Sequence, residues 1–595
     1  MQRKGKFWIA SIAIALALSS CTNAPDGPSD PDNIGNCTPV FAAVSSEKVN
    51  LVTELNTKFK ESPEGKALEE ALGNCVAIVP KDVASGAATD LLKAGWPTEN
   101  TLAPRPAIWS PASSSWVASV AESKGKELVP NPVSFARTPV VMAMPVQMAR
   151  TLGWPDKPIG LHDLHDLCLD SKGWGKFGGG ATTWGNFKLG KTTPTTSTTG
   201  LNIVLMQNYA AANKTSGLTE ADITAGNQFS KELESCVIHY GDTTGSVLER
   251  LYQKNSLSYV SAIAVEETSV INYNLGNPKS QVVKAGDELT KPDEQNRLVA
   301  IYPTEGSLES DNPIVALGKS ATWVTDEQRT AAEAFIKFVQ TPIAQNILGN
   351  FGFRPADPAA KPSGLISAEN GVDPTKPTVR LETPSVAVAS AATKQWIDVR
   401  KPARVEIVLD ISDSMNDSIG GNDTRISMAK KSASSVIGHF RGSDQVGVSA
   451  FTTDGKNSIY SQLRPLSPLG SSGETLKDDI LAIQTGVGTP LFDAIGLAFE
   501  RVKEGAESGQ INAIIVISDG MDNASRMDAD DLKRLLRGST EGNDPAQVRV
   551  FPIIYGEEAP ADVLREIAEA SGGQVFNAKD PRRLDQVMRS VVNNF

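Results

Sequence analysis

Short apolar runs alternate with amphipathic stretches along almost the whole chain. In the first half, residues 39–43 and 75–80 read as strands, and 49–60 reads as a helix between them. Residues 106–111 predict a strand that enters a hydroxyl-rich turn, Ala112 to Trp116, leading into a helix. Residues 201–213 predict a helix and 259–265 a strand, the latter ending in the acidic pair Glu266-Glu267. Between 357 and 395 the pattern becomes irregular, broken by Pro358, Pro362, Pro374, Pro377 and Pro384, and reads as a linker. Beyond it, strands at 404–410, 445–452, 512–518 and 548–555 alternate with helices at 425–440, 474–484, 490–502, 560–570 and 581–593. In the first of these helices Ile426, Ala429, Ala433, Val436, Ile437 and Phe440 form one apolar stripe. Strands alternating with helices predict a doubly wound parallel α/β sheet.

Within the strand at 404–410, Val405 to Leu409 is apolar apart from Glu406 and runs into Asp410-Ile411-Ser412-Asp413-Ser414. The C-terminal edge of a parallel sheet is where ligands bind. One carboxylate and two hydroxyls at alternate positions there suit a small hard cation such as Mg²⁺. The competing reading is that Ser412 and Ser414 cap a helix while Asp410 bonds loop amides. The Glu266-Glu267 pair lacks a neighbouring His or nucleophile. It reads as a cleft rim or a helix N-terminus rather than an acid/base pair.

At 595 residues the chain is too long for one core, so two or more domains are expected. A net charge of −12 and the lack of a basic tract argue against nucleic-acid binding. Arg3, Lys4 and Lys6 precede an apolar run at 7–18 that is too short to span a bilayer. Setting aside Cys21, four cysteines remain, all in the first half: Cys37, Cys75, Cys168 and Cys236. An even number in an exported chain suggests disulfides. Of three possible pairings the sequential one is expected, Cys37–Cys75 with Cys168–Cys236. No C-x-x-C spacing points to zinc or redox work.

Three resemblances add to this reading. Leu18-Ser19-Ser20-Cys21 resembles a bacterial lipoprotein signal, which implies that Cys21 is lipidated and tethers the protein to the extracytoplasmic face of a membrane. Asp410 to Ser414, Gly488 to Ile495 and Ile514 to Gly520 together resemble a von Willebrand factor A-type domain with a metal-ion-dependent adhesion site. That resemblance implies that Thr489 and Asp519 join Asp410, Ser412 and Ser414 around Mg²⁺ or Mn²⁺, and that a partner protein supplies an acidic residue. The commonest family loop has Gly where this chain has Asp413. Ile108 to Trp116, Arg137 to Pro145, Trp184 to Gly190, Pro194 to Leu201 and Gly352 to Pro355 resemble an extracellular solute-binding protein of the periplasmic type II class, near the molybdate- and sulfate-binding group. This implies two α/β lobes with a ligand cleft between them, and Ser113, Ser114, Arg137, Ser197 and Thr198 as candidate cleft residues for a small solute or anion.

The expected division is a signal peptide at 1–20, a tether at 21–36, a solute-binding-type domain at 37–356, a linker at 357–395 and the A-type domain at 396–595. The expected function is lipid-anchored binding of a protein partner through the metal site, with a solute cleft beside it. The alternative is the solute receptor of an ABC importer with an auxiliary docking domain. Catalysis is not expected, since no nucleophile–base pair accompanies either site.

Overall fold

The computed structural model describes residue 34 and residues 36–592, apart from 99–102, 242, 255–256, 258, 284–287, 471, 508, 538–545 and 558. The predicted signal segment and Cys21 lie outside the described residues. Among the described residues no helix is long and apolar enough to cross a membrane.

Thr38–Val44 is apolar along most of its length and pairs in parallel with Val76–Asp82, which is itself buried over Val76 to Pro80. Covered faces of this kind are what parallel strands require. These two strands join Ile108–Ser110, Pro313–Ala316 and Val133–Ser134 in one five-stranded sheet, the core of a first lobe. The second lobe is built on Ala136–Pro145, which is buried at every position. It pairs antiparallel with Glu309–Ser310, Ala262–Glu266, Leu298–Ile301 and Arg354–Pro355. Leu189–Thr192 and Val237–Gly241 extend that sheet in parallel. The chain therefore passes between lobes after Val133–Ser134, again between Glu309–Ser310 and Pro313–Ala316, and a third time before Arg354.

Both expected disulfides are present. Cys37–Cys75 staples the starts of the first two strands, and Cys168–Cys236 ties the helix Leu161–Leu169 to the residue that precedes Val237–Gly241. With sequence separations of 38 and 68, each lowers the entropy of the unfolded chain by the equivalent of about 4 kcal/mol.

The segment read as a linker is more ordered than its prolines suggested. Val386–Val399 is a helix capped by Ser385, and it runs past the expected boundary at 395. Val388, Ala389, Ala392 and Trp396 join the core of the second lobe, where the Trp396 ring meets Tyr240 edge-on at 5.3 Å. The same cluster of buried apolar side chains continues into Val405, Ile407 and Leu409, so the two halves share a core. Arg549 also crosses the junction, donating to the Ile238 carbonyl at 2.8 Å.

The last domain is a six-stranded sheet in the order Ser458–Pro468, Gln445–Thr453, Ala403–Asp410, Ile511–Ser518, Val548–Tyr555, Phe576–Ala578. Its pairings are parallel except for the edge strand Ser458–Pro468, which was not foreseen. Side chains alternate across the sheet. Val405, Ile407 and Leu409 meet the stripe of Arg425–Ile437 on one face; Val408, Ile514 and Val516 meet Leu491–Glu504 on the other. Glu406, the acid in the middle of the first strand, is buried against the Arg501 guanidinium and accepts the Ser449 hydroxyl at 2.7 Å. A buried charge persists only when paired in this way.

Candidate functional site

Two buried strands of the last domain end side by side at the same sheet edge, and each ends in chemistry. Asp410 closes the first. One carboxylate oxygen accepts the Ser412 amide at 2.8 Å and the other accepts the Ser518 hydroxyl at 2.5 Å. Burial pushes its carboxyl up to about 6, against the pull of those hydrogen bonds. The Ser412 hydroxyl lies 3.2 Å from that of Ser414, which donates to Asp519 Oδ1 at 2.9 Å. Asp519 follows the second strand, and its Oδ2 accepts Arg425 Nη1 at 2.7 Å.

Thr489 arrives from the loop that lies between these two in the sequence. Its amide donates to Asn523 Oδ1 at 2.9 Å, and the Asn523 amide donates back to the Thr489 carbonyl at 3.1 Å. A Cβ built on Gly520 would lie 3.4 Å from Thr489 Oγ1 and 3.9 Å from Ser414 Oγ, so both hydroxyls border the same backbone position. Asp410, Ser412, Ser414, Thr489 and Asp519 are thus gathered from three loops. They present hydroxyl and carboxylate oxygens only, a donor set that fits Mg²⁺ or Mn²⁺ retaining some of its waters. Among the described residues no group of three or more His, Cys, Asp or Glu side chains is placed to hold a metal. A cation here depends on the hydroxyls. Ser518, Arg425 and Asn523 were not singled out from the sequence. Each is hydrogen-bonded to one of the five, Ser518 to Asp410, Arg425 to Asp519 and Asn523 to Thr489, and only the fold brings Arg425 to Asp519.

The second site lies between the lobes of the first domain. A cavity of about 50 Å³ is lined from the first lobe by Ser45, Glu47 and Ser85, and from the second by Ser197, Thr198 and Glu266. Ser85 and Thr198 begin helices, as does Thr244, also on the wall, so three helix N-termini meet there. Their partial positive charge suits a polar or anionic group. The lobes touch across the cavity: the Gly86 amide donates to the Thr196 carbonyl at 3.0 Å, and the Trp116 indole N–H donates to Thr198 Oγ1 at 2.8 Å. Glu266 accepts the Ser310 hydroxyl at 2.6 Å; burial and the nearby charge of Glu47 push its carboxyl up to about 8. Behind it Lys48 is buried, bonded to Ser110 Oγ and the Pro111 carbonyl, and lowered by burial to about 8.

Of the predicted cleft residues, Ser197 and Thr198 line this cavity and Ser113, Ser114 and Arg137 do not. Ser113 caps its helix, accepting the Ser115 amide at 3.2 Å, and the Ser114 amide donates to Asp311 at 2.7 Å. Arg137 sits where strands cross between lobes. It is buried against Glu309 at 2.6 Å and donates to the Pro355 carbonyl at 3.0 Å. An arginine already satisfied by a carboxylate and a carbonyl has little left to offer a solute. Glu47, Ser85 and Thr244 were missed. Hydroxyls and acids at helix starts directly after strands were the available signal.

Two family models match the chain. The bacterial extracellular solute-binding protein family matches residues 40–354, and the von Willebrand factor type A domain matches 405–521. An uncharacterized protein of Mycobacterium tuberculosis, found in two strains, is 23% identical over 541 residues, covering 88% of this chain and 72% of the relative. Among solved structures, a periplasmic thiamin-binding protein is similar over 61% of this chain and 96% of its own, with 14% identity and a TM-score of 0.40. A von Willebrand factor type A protein from Catenulispora acidiphila is similar over 32% of this chain and 42% of its own, with 24% identity and a TM-score of 0.27. The chain belongs to the bacterial extracellular solute-binding protein family and carries a von Willebrand factor type A domain after its solute-binding domain.

Proposed function

We propose that this is an extracytoplasmic binding protein, held to a membrane through lipid on Cys21, whose A-type domain uses a divalent cation to engage an acidic residue of a protein partner. The observation that carries this reading is the convergence of Ser412, Ser414 and Thr489 hydroxyls with Asp410 and Asp519 at one strand edge. Bound there, Mg²⁺ or Mn²⁺ would supply an exposed positive charge with a coordination position open to a carboxylate. Asp410, braced by Ser412 and Ser518, and Asp519, braced by Arg425, hold their oxygens ready without reorganisation.

In the same proposal the cleft takes a small, strongly polar solute. Its wall is largely hydroxyls, acids and helix starts, and its volume of about 50 Å³ admits few atoms. Cross-lobe bonds such as Trp116 to Thr198 support a cleft that closes over its ligand. Isothermal titration of Mg²⁺ and Mn²⁺ into the full chain tests the metal reading. Saturable binding that is lost in Asp410→Ala/Ser412→Ala is expected. No heat with either ion, in a chain that remains folded, would overturn it.

A further inference from the structure

Among the described residues, the two most exposed large apolar side chains are Met521, 68% exposed, and Val487, 63% exposed. Both stand on the loops that bring the metal-site donors. Val487 is the second residue before Thr489, and Met521 the second after Asp519. Isolated exposed apolar residues elsewhere, such as Ile343 and Leu169, are ordinary on a protein surface. The coincidence of the two most exposed ones with the rim of one site is not.

The rim is also braced. The Val487 amide donates to the Thr453 carbonyl at 3.1 Å, and its own carbonyl accepts the Asp413 amide at 3.4 Å. Asn416 Nδ2 donates to Thr485 Oγ1 at 3.0 Å, tying the first loop to the second. Thr489 and Asn523 tie the second to the third. Apolar groups displayed on a preformed frame lose little freedom when a partner covers them, which is the property of an interface anchor. The first loop contributes the opposite chemistry, with Asp413 and Asp417 exposed.

Resting on the metal reading above, we infer that the partner of this site is a protein loop with one carboxylate set between apolar side chains. The carboxylate meets the cation, and the flanking apolar groups cover Met521 and Val487. A base on the partner's other side would answer Asp413, which repels any second acid, whereas Asp417 already has Arg425 at 3.5 Å. Selectivity then comes from the flanks, because any carboxylate satisfies the ion.

Two disulfide-closed synthetic peptides test this on the full chain with Mg²⁺ present, one carrying Leu-Asp-Leu and the other Ser-Asp-Ser at its tip. The leucine-flanked peptide should bind about tenfold more tightly, as covering two such side chains allows. Met521→Ser and Val487→Ser should each weaken it several-fold while leaving the serine-flanked peptide and the Mg²⁺ titration unchanged. Equal binding of the two peptides, indifference to both variants, or no binding of either peptide to a chain that does bind Mg²⁺ would overturn the inference. Failure of the Mg²⁺ titration itself is a different result: it would remove the metal site on which the inference rests.

Discussion

At the end of the strand Ala262–Glu266, two consecutive carboxylates go separate ways. Glu266 meets the cleft, while Glu267 closes on Arg354 with two hydrogen bonds at 2.6 and 2.7 Å. The sequence showed an acidic pair at a strand end and, separately, Arg354 within a motif; it held no sign that Arg354, at the third passage between lobes, meets Glu267. Arg354→Met should leave Glu267 buried without its counter-charge and cost about 3–5 kcal/mol in urea denaturation. A loss below about 1 kcal/mol would show that the pair is not holding the lobe crossing together. Glu266 governs a pH dependence instead. Its carboxyl titrates near 4.5 when unfolded and near 8 in the fold. Between those values the folded state holds the extra proton, so stability is full below about pH 4.5 and is lost as pH rises towards 8. Lys48, lowered to about 8, acts above that window. Glu266→Gln has no proton to lose, and its unfolding free energy should decline less between pH 5 and 8 than that of the native chain. Parallel declines would contradict the assignment.

At the scale of elements, most of what could be read was periodicity. The stripe Ile426, Ala429, Ala433, Val436, Ile437 and Phe440 is buried throughout, and the strands carrying Asp410 and Asp519 lie where their apolar runs placed them. Asp410, Ser412, Ser414, Thr489 and Asp519 could be singled out together because each follows a buried strand or precedes a helix within a short motif, and the fold brings them to one sheet edge. What escaped was set by tertiary context. Ser458–Pro468 is polar, half exposed and contains two prolines, which only an edge strand tolerates. Val386–Val399 follows a proline-rich stretch that masked its apolar face. The cleft wall was half missed because its residues come from both lobes, and no local pattern reports which helix starts will face each other. One such start makes a direct test. A Cβ on Gly86 would lie 2.4 Å from the Thr195 carbonyl oxygen and 2.6 Å from Thr196 Cα on the opposite lobe. Gly86→Ala should therefore hold the lobes apart, enlarging the radius of gyration in small-angle scattering while the helix Ser85–Lys93 persists. An unchanged scattering profile would mean that the lobes do not close through this contact.

Across the whole molecule, the two domains are not beads on a string. Trp396 is buried against Tyr240 of the second lobe, in a cluster of apolar side chains that also contains Val405, Ile407 and Leu409 of the A-type domain. Trp396→Ala should cost about 3–5 kcal/mol and lower the calorimetric unfolding of both halves together. A shift confined to one half would show that they are energetically separate. This shared core joins the solute-binding domain to the A-type domain through packed side chains rather than through a bare linker.

We propose that a divalent cation sits among Asp410, Ser412, Ser414, Thr489 and Asp519. Paramagnetic Mn²⁺ added below stoichiometry to the methyl-labelled full chain tests for it. Met415 and Met521 adjoin the donor residues, while Met148 and Met206 lie in the second lobe of the solute-binding domain. The methyl signals of Met415 and Met521 should broaden first, recover when Mg²⁺ competes, and stay sharp in Asp410→Ala, with Met148 and Met206 unaffected throughout. Uniform broadening, or broadening that survives in Asp410→Ala, would contradict a cation at this site.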